Sequence, residues 1–182
     1  MAKAPQAGDR RLLRSARGGS QAAVEALIER HWNQAHRIAF GILGDAHAAE
    51  DVTQEAMLSM TTNIGRFDLR RPFRPWLHRV VTNRALDWVR TRARRPEVPL
   101  PAGGPIRGGA PEAASPQGSD PALEAAMAEL SPEHRAVVVL RFIGGYAPDE
   151  IARLLGIPRG TVGSRLRRAL DQLRSQLEDE DG

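Results

Sequence analysis

The chain has 182 residues, 41% of them hydrophobic and 4% aromatic, with 26 Lys and Arg against 22 Asp and Glu and a formal net charge of +4. That is enough apolar residue for one ordinary core or two small ones, and the preference for Ala, Leu and Arg over aromatic and β-branched residues favours an all-α fold. The absence of cysteine excludes disulfides and thiolate zinc sites, no apolar run approaches the roughly 18 residues of a membrane span, and no secretory signal is evident, so a cytoplasmic protein without membrane insertion is expected.

Residues 1–19 are basic and polar and read as a flexible N-terminus. A first helical unit is expected over 20–95. Ala22, Leu27, Ile28, Trp32, Ala35, Ile38, Ala39 and Ile42 recur at helical spacing. Gly44-Asp45 breaks that helix, and Asp45 suits the N-cap of the next, which runs to about Met60. On this second helix Ala49, Val52, Ala56 and Met60 form the core face, while Asp51, Gln54, Glu55 and Leu58 point the other way. Read alone, those four fit either a solvated acidic face with one stray leucine or a contact surface for a basic protein.

An arginine-rich loop follows, from Asn63 to Trp76, in which Arg66, Arg70, Arg71 and Arg74 alternate with Phe67, Phe73 and Trp76. Aromatic planes stack on unpaired bases while guanidinium groups track phosphates, a combination suited to single-stranded DNA. Phe67 fits a core position equally well. The third helix, from Trp76 to about Arg94, turns Leu77, Val81, Ala85 and Trp88 inward and leaves Arg79, Asn83 and Arg90 outside. Arg84 falls near the core on this phase, so either it snorkels along that surface or the phase of the helix is slightly different. The run Arg90 to Arg95 suits non-specific phosphate contact.

Residues 96–121 are dense in Pro, Gly, Ala and Ser and read as a flexible linker averaging about 25–30 Å end to end. The second unit, 122–178, opens after Asp120-Pro121 with Leu123, Met127 and Leu130 on one face. Ser131-Pro132 starts a further helix through Val137, Val138, Leu140 and Phe142, ended by Gly144-Gly145. The last stretch reads as helix, tight turn, helix. Ile151, Leu154 and Leu155 form one apolar face, Gly156-Ile157-Pro158 makes the turn, and Val162, Leu166, Ala169, Leu170, Leu173 and Leu177 share the next face. This is the spacing of a helix-turn-helix, whose second helix enters the major groove. Ser164 and Arg168, flanked by Thr161 and Arg165, occupy the opposite face, and Arg159 stands at the helix start within reach of a phosphate.

Three pieces of wording carry a resemblance: Ser131-Pro132-Glu133, Tyr146-Ala147-Pro148-Asp149-Glu150-Ile151-Ala152, and Gly160-Thr161-Val162-Gly163-Ser164-Arg165-Leu166. They resemble region four of RNA polymerase sigma factors of the extracytoplasmic-function group, which implies binding of the minus-thirty-five promoter element. Gly163 departs from the family, where this position is usually basic. Ala49-Glu50-Asp51-Val52-Thr53-Gln54-Glu55 resembles sigma region two, which implies docking of Asp51, Gln54, Glu55 and Leu58 on core RNA polymerase. Trp-Leu, then Arg, Asn and Leu-Asp from Trp76 to Asp87 resemble the part that reads and melts the minus-ten element. That resemblance implies contacts from Asn63, Phe67, Arg70, Arg74, Trp76, Arg79 and Asn83 to promoter DNA. At Arg84 the family usually has an apolar residue. An anti-sigma factor is expected as a partner by resemblance only.

The five histidines show no metal-ligand spacing, and no Gly-rich phosphate loop is present, so no catalytic residue, metal or cofactor is expected. The alternative is a stand-alone helix-turn-helix regulator that binds duplex DNA. It leaves the acidic face and the aromatic–arginine loop unused.

Overall fold

A computed structural model describes residues 6–93 and 120–180. These residues form eight α-helices and a short 3₁₀ turn, and no strand occurs among them. The linker reading and the basic residues Arg94 and Arg95 lie outside the described residues, apart from Asp120 and Pro121.

The first helix was not expected. α1 (Gln6–Arg17) occupies most of the stretch read as a flexible N-terminus. Leu13 and Ala16 bury one side of it, and Gly18-Gly19 stops it. Ser20 then caps α2 (Gln21–Leu43) by accepting from the Ala23 amide at 3.3 Å. On α2 the inward residue is Ala23 rather than Ala22, which is exposed, while Leu27, Ala35, Ile38, Ala39 and Ile42 are buried.

Asp45 caps α3 (Ala46–Asn63) through its carboxylate, 3.0 Å from the Ala48 amide. The 3₁₀ turn Ile64–Arg66 leads into the arginine-rich loop. α4 (Phe73–Ala93) starts three residues earlier than expected, because Pro75 falls in its first turn, where a missing N–H costs no helical hydrogen bond. Helix α2 packs on α1, α3 and α4, and these make the first unit.

The second unit comprises α5 (Pro121–Glu129), α6 (Pro132–Phe142), α7 (Pro148–Leu155) and α8 (Arg159–Glu180). Each of α5 and α6 begins with proline behind a capping Asp120 or Ser131. Two expected core residues are exposed: Leu123 (43%) and Phe142 (63%).

Helix α6 joins the two units. Ala136, Val137, Val138, Val139 and Leu140 are all buried, and a helix apolar on every side needs neighbours on every side. Val137 and Leu140 pack with Tyr146, Ile151, Leu154 and Val162. Val138 joins Ala126, Leu130, Ala169 and Leu173. Ala136 and Val139 belong to the core of the first unit. There α2 offers Gly41, where a β-carbon would stand 2.8 Å from Val139 Cγ2, so only glycine admits α6 this closely.

Polar groups pin the seam. Arg135 Nη1 donates to the Ile42 carbonyl at 3.0 Å and Arg74 Nη2 to the Gly144 carbonyl at 2.7 Å. The Tyr146 hydroxyl and His78 Nδ1 share a buried hydrogen bond of 2.8 Å. Burial holds His78 down to about 3 and raises the Tyr146 phenol, so both are neutral at physiological pH. Losing either partner would strand the other's buried polar atom, at a cost of about 1–3 kcal/mol.

Candidate nucleic-acid interface

The turn between α7 and α8 sets the angle of the last helix. Gly156 adopts φ +68°, a left-handed cap, and its N–H and that of Ile157 both return to the Ala152 carbonyl. At the other end of α7, Glu150 reaches back to accept from the Ala147 amide at 2.8 Å. Val162, Ala169 and Leu173 are buried and Leu166, Leu170 and Leu177 half-buried, as their spacing requires.

That phase leaves Arg159, Gly163 and Arg168 exposed, with Thr161, Ser164 and Arg165 half-buried. Arg168 is in no ion pair among the described residues, whereas Arg159 Nε lies 3.0 Å from Asp149 Oδ1. The Ser164 hydroxyl donates to the Thr161 carbonyl at 3.1 Å. The helix thus presents guanidinium groups and hydroxyls along one side, the donor set that reads guanine edges and holds phosphates.

In the loop before α4 the aromatic residues have a different fate. Phe67 (6% exposed) and Phe73 (4%) are core residues, and Trp76 is half-buried against them at centroid distances of 5.1 and 5.6 Å. Trp76 is thus the one aromatic of this loop with partial exposure left for a base. Arg70 is exposed and grips Asp68 with two nitrogens, at 3.0 and 3.2 Å. Those bonds hold the Asp68 carboxyl below its usual range. Arg74 is half-buried and committed to the seam. Asn63 folds back to donate to the Ser59 carbonyl at 2.8 Å.

Trp76, Arg79 and Asn83 recur at i, i+3 and i+7, on one side of α4, and Arg79 and Asn83 are exposed. Asn83 also borders a cleft of about 620 Å³ between the units, lined by Arg90 of α4, Glu133 of α6 and Arg165 of α8. The sequence reading missed this convergence of α4 and α8. It also missed the anchoring of Arg90, 3.4 Å from both Asp87 and Glu133.

On α3, Asp51, Gln54, Glu55 and Leu58 are all exposed, Leu58 to 66%, and Ala49, Val52, Ala56 and Met60 are buried. Arg84 resolves an anomaly here. It is half-buried and its Nη1 donates to Glu55 Oε2 at 2.7 Å, so it leaves the core sideways to bridge α4 to α3. No cluster of potential metal ligands occurs among the described residues, and none of their helices is long and apolar enough to cross a membrane.

Comparison with known proteins matches residues 27–95 to sigma-70 region 2 and residues 121–173 to sigma-70 region 4. The chain is 38% identical to the ECF RNA polymerase sigma factor SigE of Mycolicibacterium smegmatis over 87% of its own length, spanning 64% of that protein. It is 30% identical to the ECF RNA polymerase sigma factor SigW of Bacillus subtilis, over 92% of this chain and 95% of SigW. Among solved structures it is similar to CnrH in complex with the cytosolic domain of CnrY, with TM-score 0.68 and 26% identity over 96% of this chain and 99% of that one. With both sigma segments in order on one helical chain, the protein belongs to the ECF RNA polymerase sigma factors.

Proposed function

We propose that this chain binds core RNA polymerase through α3 and directs it to promoters by contacts from both units. Asp51, Gln54, Glu55 and Leu58 form the polymerase-docking face. Arg159, Thr161, Ser164, Arg165 and Arg168 hold the upstream duplex element. Arg70, Trp76, Arg79 and Asn83, with Asn63 and Arg74 after rearrangement, engage the melted downstream element. Phe67 supports that surface from inside. The protein acts in the cytoplasm as a specificity subunit rather than an enzyme, and an anti-sigma factor is its expected regulator.

The observation that carries this reading is the coexistence of two exposed faces of opposite character on one chain. The acidic, leucine-bearing face of α3 suits a basic protein surface. The arginine-bearing face of α8 suits phosphates and bases. A regulator that acts alone needs only the second. Two modest contacts on one polymerase–promoter complex reinforce each other through effective concentration.

Run-off transcription tests it. Purified bacterial core polymerase is supplied with or without this chain on pooled promoter fragments. New transcripts from defined start sites, dependent on the chain, are expected. Duplex binding by the chain alone with no new transcript would instead establish the stand-alone regulator.

A further inference from the structure

Helix α1 lies outside the residues matched to region 2 and carries four arginines against one aspartate. Its rotation is set by Leu13 and Ala16, which are buried, and Leu12, which is half-buried. At 100° per residue, Arg10, Arg14 and Arg17 then fall on one stripe, and all three are exposed. The single acid does not offset them. Asp9 turns inward, with Oδ1 2.9 Å from Arg30 Nη1 and Oδ2 3.2 Å from His31 Nε2 on α2.

Attraction to the C-terminal helix dipole accounts for arginines in the last turn, Arg14 and Arg17, but not for Arg10. Solubility would be served by mixed charge, whereas this stripe has one sign only. Its position supplies a better reason. α1 packs against the 3₁₀ turn Ile64–Arg66, which leads from Asn63 directly into the arginine-rich loop and carries the exposed Arg66. The stripe is therefore the solvent-facing side of a helix that packs on the turn leading into the surface assigned above to the melted strand.

We propose that Arg10, Arg14 and Arg17 bind the phosphates of the single DNA strand that crosses the Asn63–Trp76 loop, extending that surface onto α1. The proposal rests on the promoter-melting role of the first unit. Successive arginines on the stripe are about 5–6 Å apart at their β-carbons and the stripe rises about 10 Å, which suits neighbouring phosphates of one strand. Such contacts hold the strand and carry no sequence information.

The test uses the full chain bound to core polymerase and a fluorescein-labelled forked promoter fragment whose melted strand is unpaired. Replacing all three residues, Arg10→Gln, Arg14→Gln and Arg17→Gln, should weaken binding about ten- to a hundredfold, equally for different sequences. The slope of log affinity against log salt should shrink by about 2. The triple lysine replacement should restore most of the loss, because phosphates accept either cation. Unchanged affinity and slope in the glutamine variant would overturn the proposal. So would a loss of core-polymerase affinity, or a loss that lysine does not repair. If the unaltered holoenzyme does not bind the fork, the promoter-melting reading itself fails and this inference falls with it.

Discussion

On α8, Val162, Ala169 and Leu173 are buried while Arg159 and Arg168 stand in solvent; in the Asn63–Trp76 loop, Phe67 and Phe73 are buried while Arg66, Arg70 and Arg71 are exposed. Both stretches were assigned to DNA from the same kind of pattern, apolar residues interleaved with arginine. On a helix, the residues that pack and the residues that bind are separated by rotation, so spacing assigns each its task. A loop has no such period, and an aromatic ring serves a core or a base equally well on paper. Here packing takes the rings, and His31, Phe67, Phe73 and Trp76 make one cluster.

The sharpest way to break this contrast is Phe73→Ala. Loss of a buried aromatic should cost about 3–5 kcal/mol, read as a lower urea midpoint. A normal midpoint with impaired promoter opening would put the ring on a base and erase the distinction. Arg168→Ala should do the reverse. It should leave the midpoint unchanged and weaken promoter binding by about 1–3 kcal/mol, relaxing preference at one base pair. Weakening that is uniform across sequences would make it a phosphate contact. The smallest effect is expected from Gly163→Ala, where an added β-carbon meets nothing within 4 Å. Helix propensity alone should raise stability by about 1 kcal/mol in the same unfolding experiment, and a decrease would mean that α8 needs glycine there.

Most of the helices were legible because their apolar periods and caps agree, as at Asp45, Ser131 and Gly156. α1 is hard to read because its polar composition outweighs a real signal, the Leu12, Leu13 and Ala16 spacing before a Gly-Gly stop. Two adjacent alanines, Ala22 and Ala23, leave the phase of α2 undecided by one residue in the sequence. Arg84 could not be placed from its own helix, since its partner Glu55 lies on another. At the interface, the outward faces of α3 and α8 followed from periodicity, but the commitment of Arg74 to the Gly144 carbonyl did not. That contact depends on how the units meet, which no local pattern encodes. The run Ala136 to Leu140 was nonetheless a hint, being too apolar to face solvent on any side.

That run has a consequence for how the chain changes shape. Ala136 and Val139 complete one core while Val137, Val138 and Leu140 complete two others. Parting the units would therefore wet the outer side of α6 next to the already exposed Phe142, and would leave His78 and Tyr146 each without its mate. Water is a poor successor to such a surface. Opening behaves as a substitution: whatever draws the units apart has to bring an apolar ridge for α6 to settle on, or enough affinity elsewhere to outweigh leaving it bare.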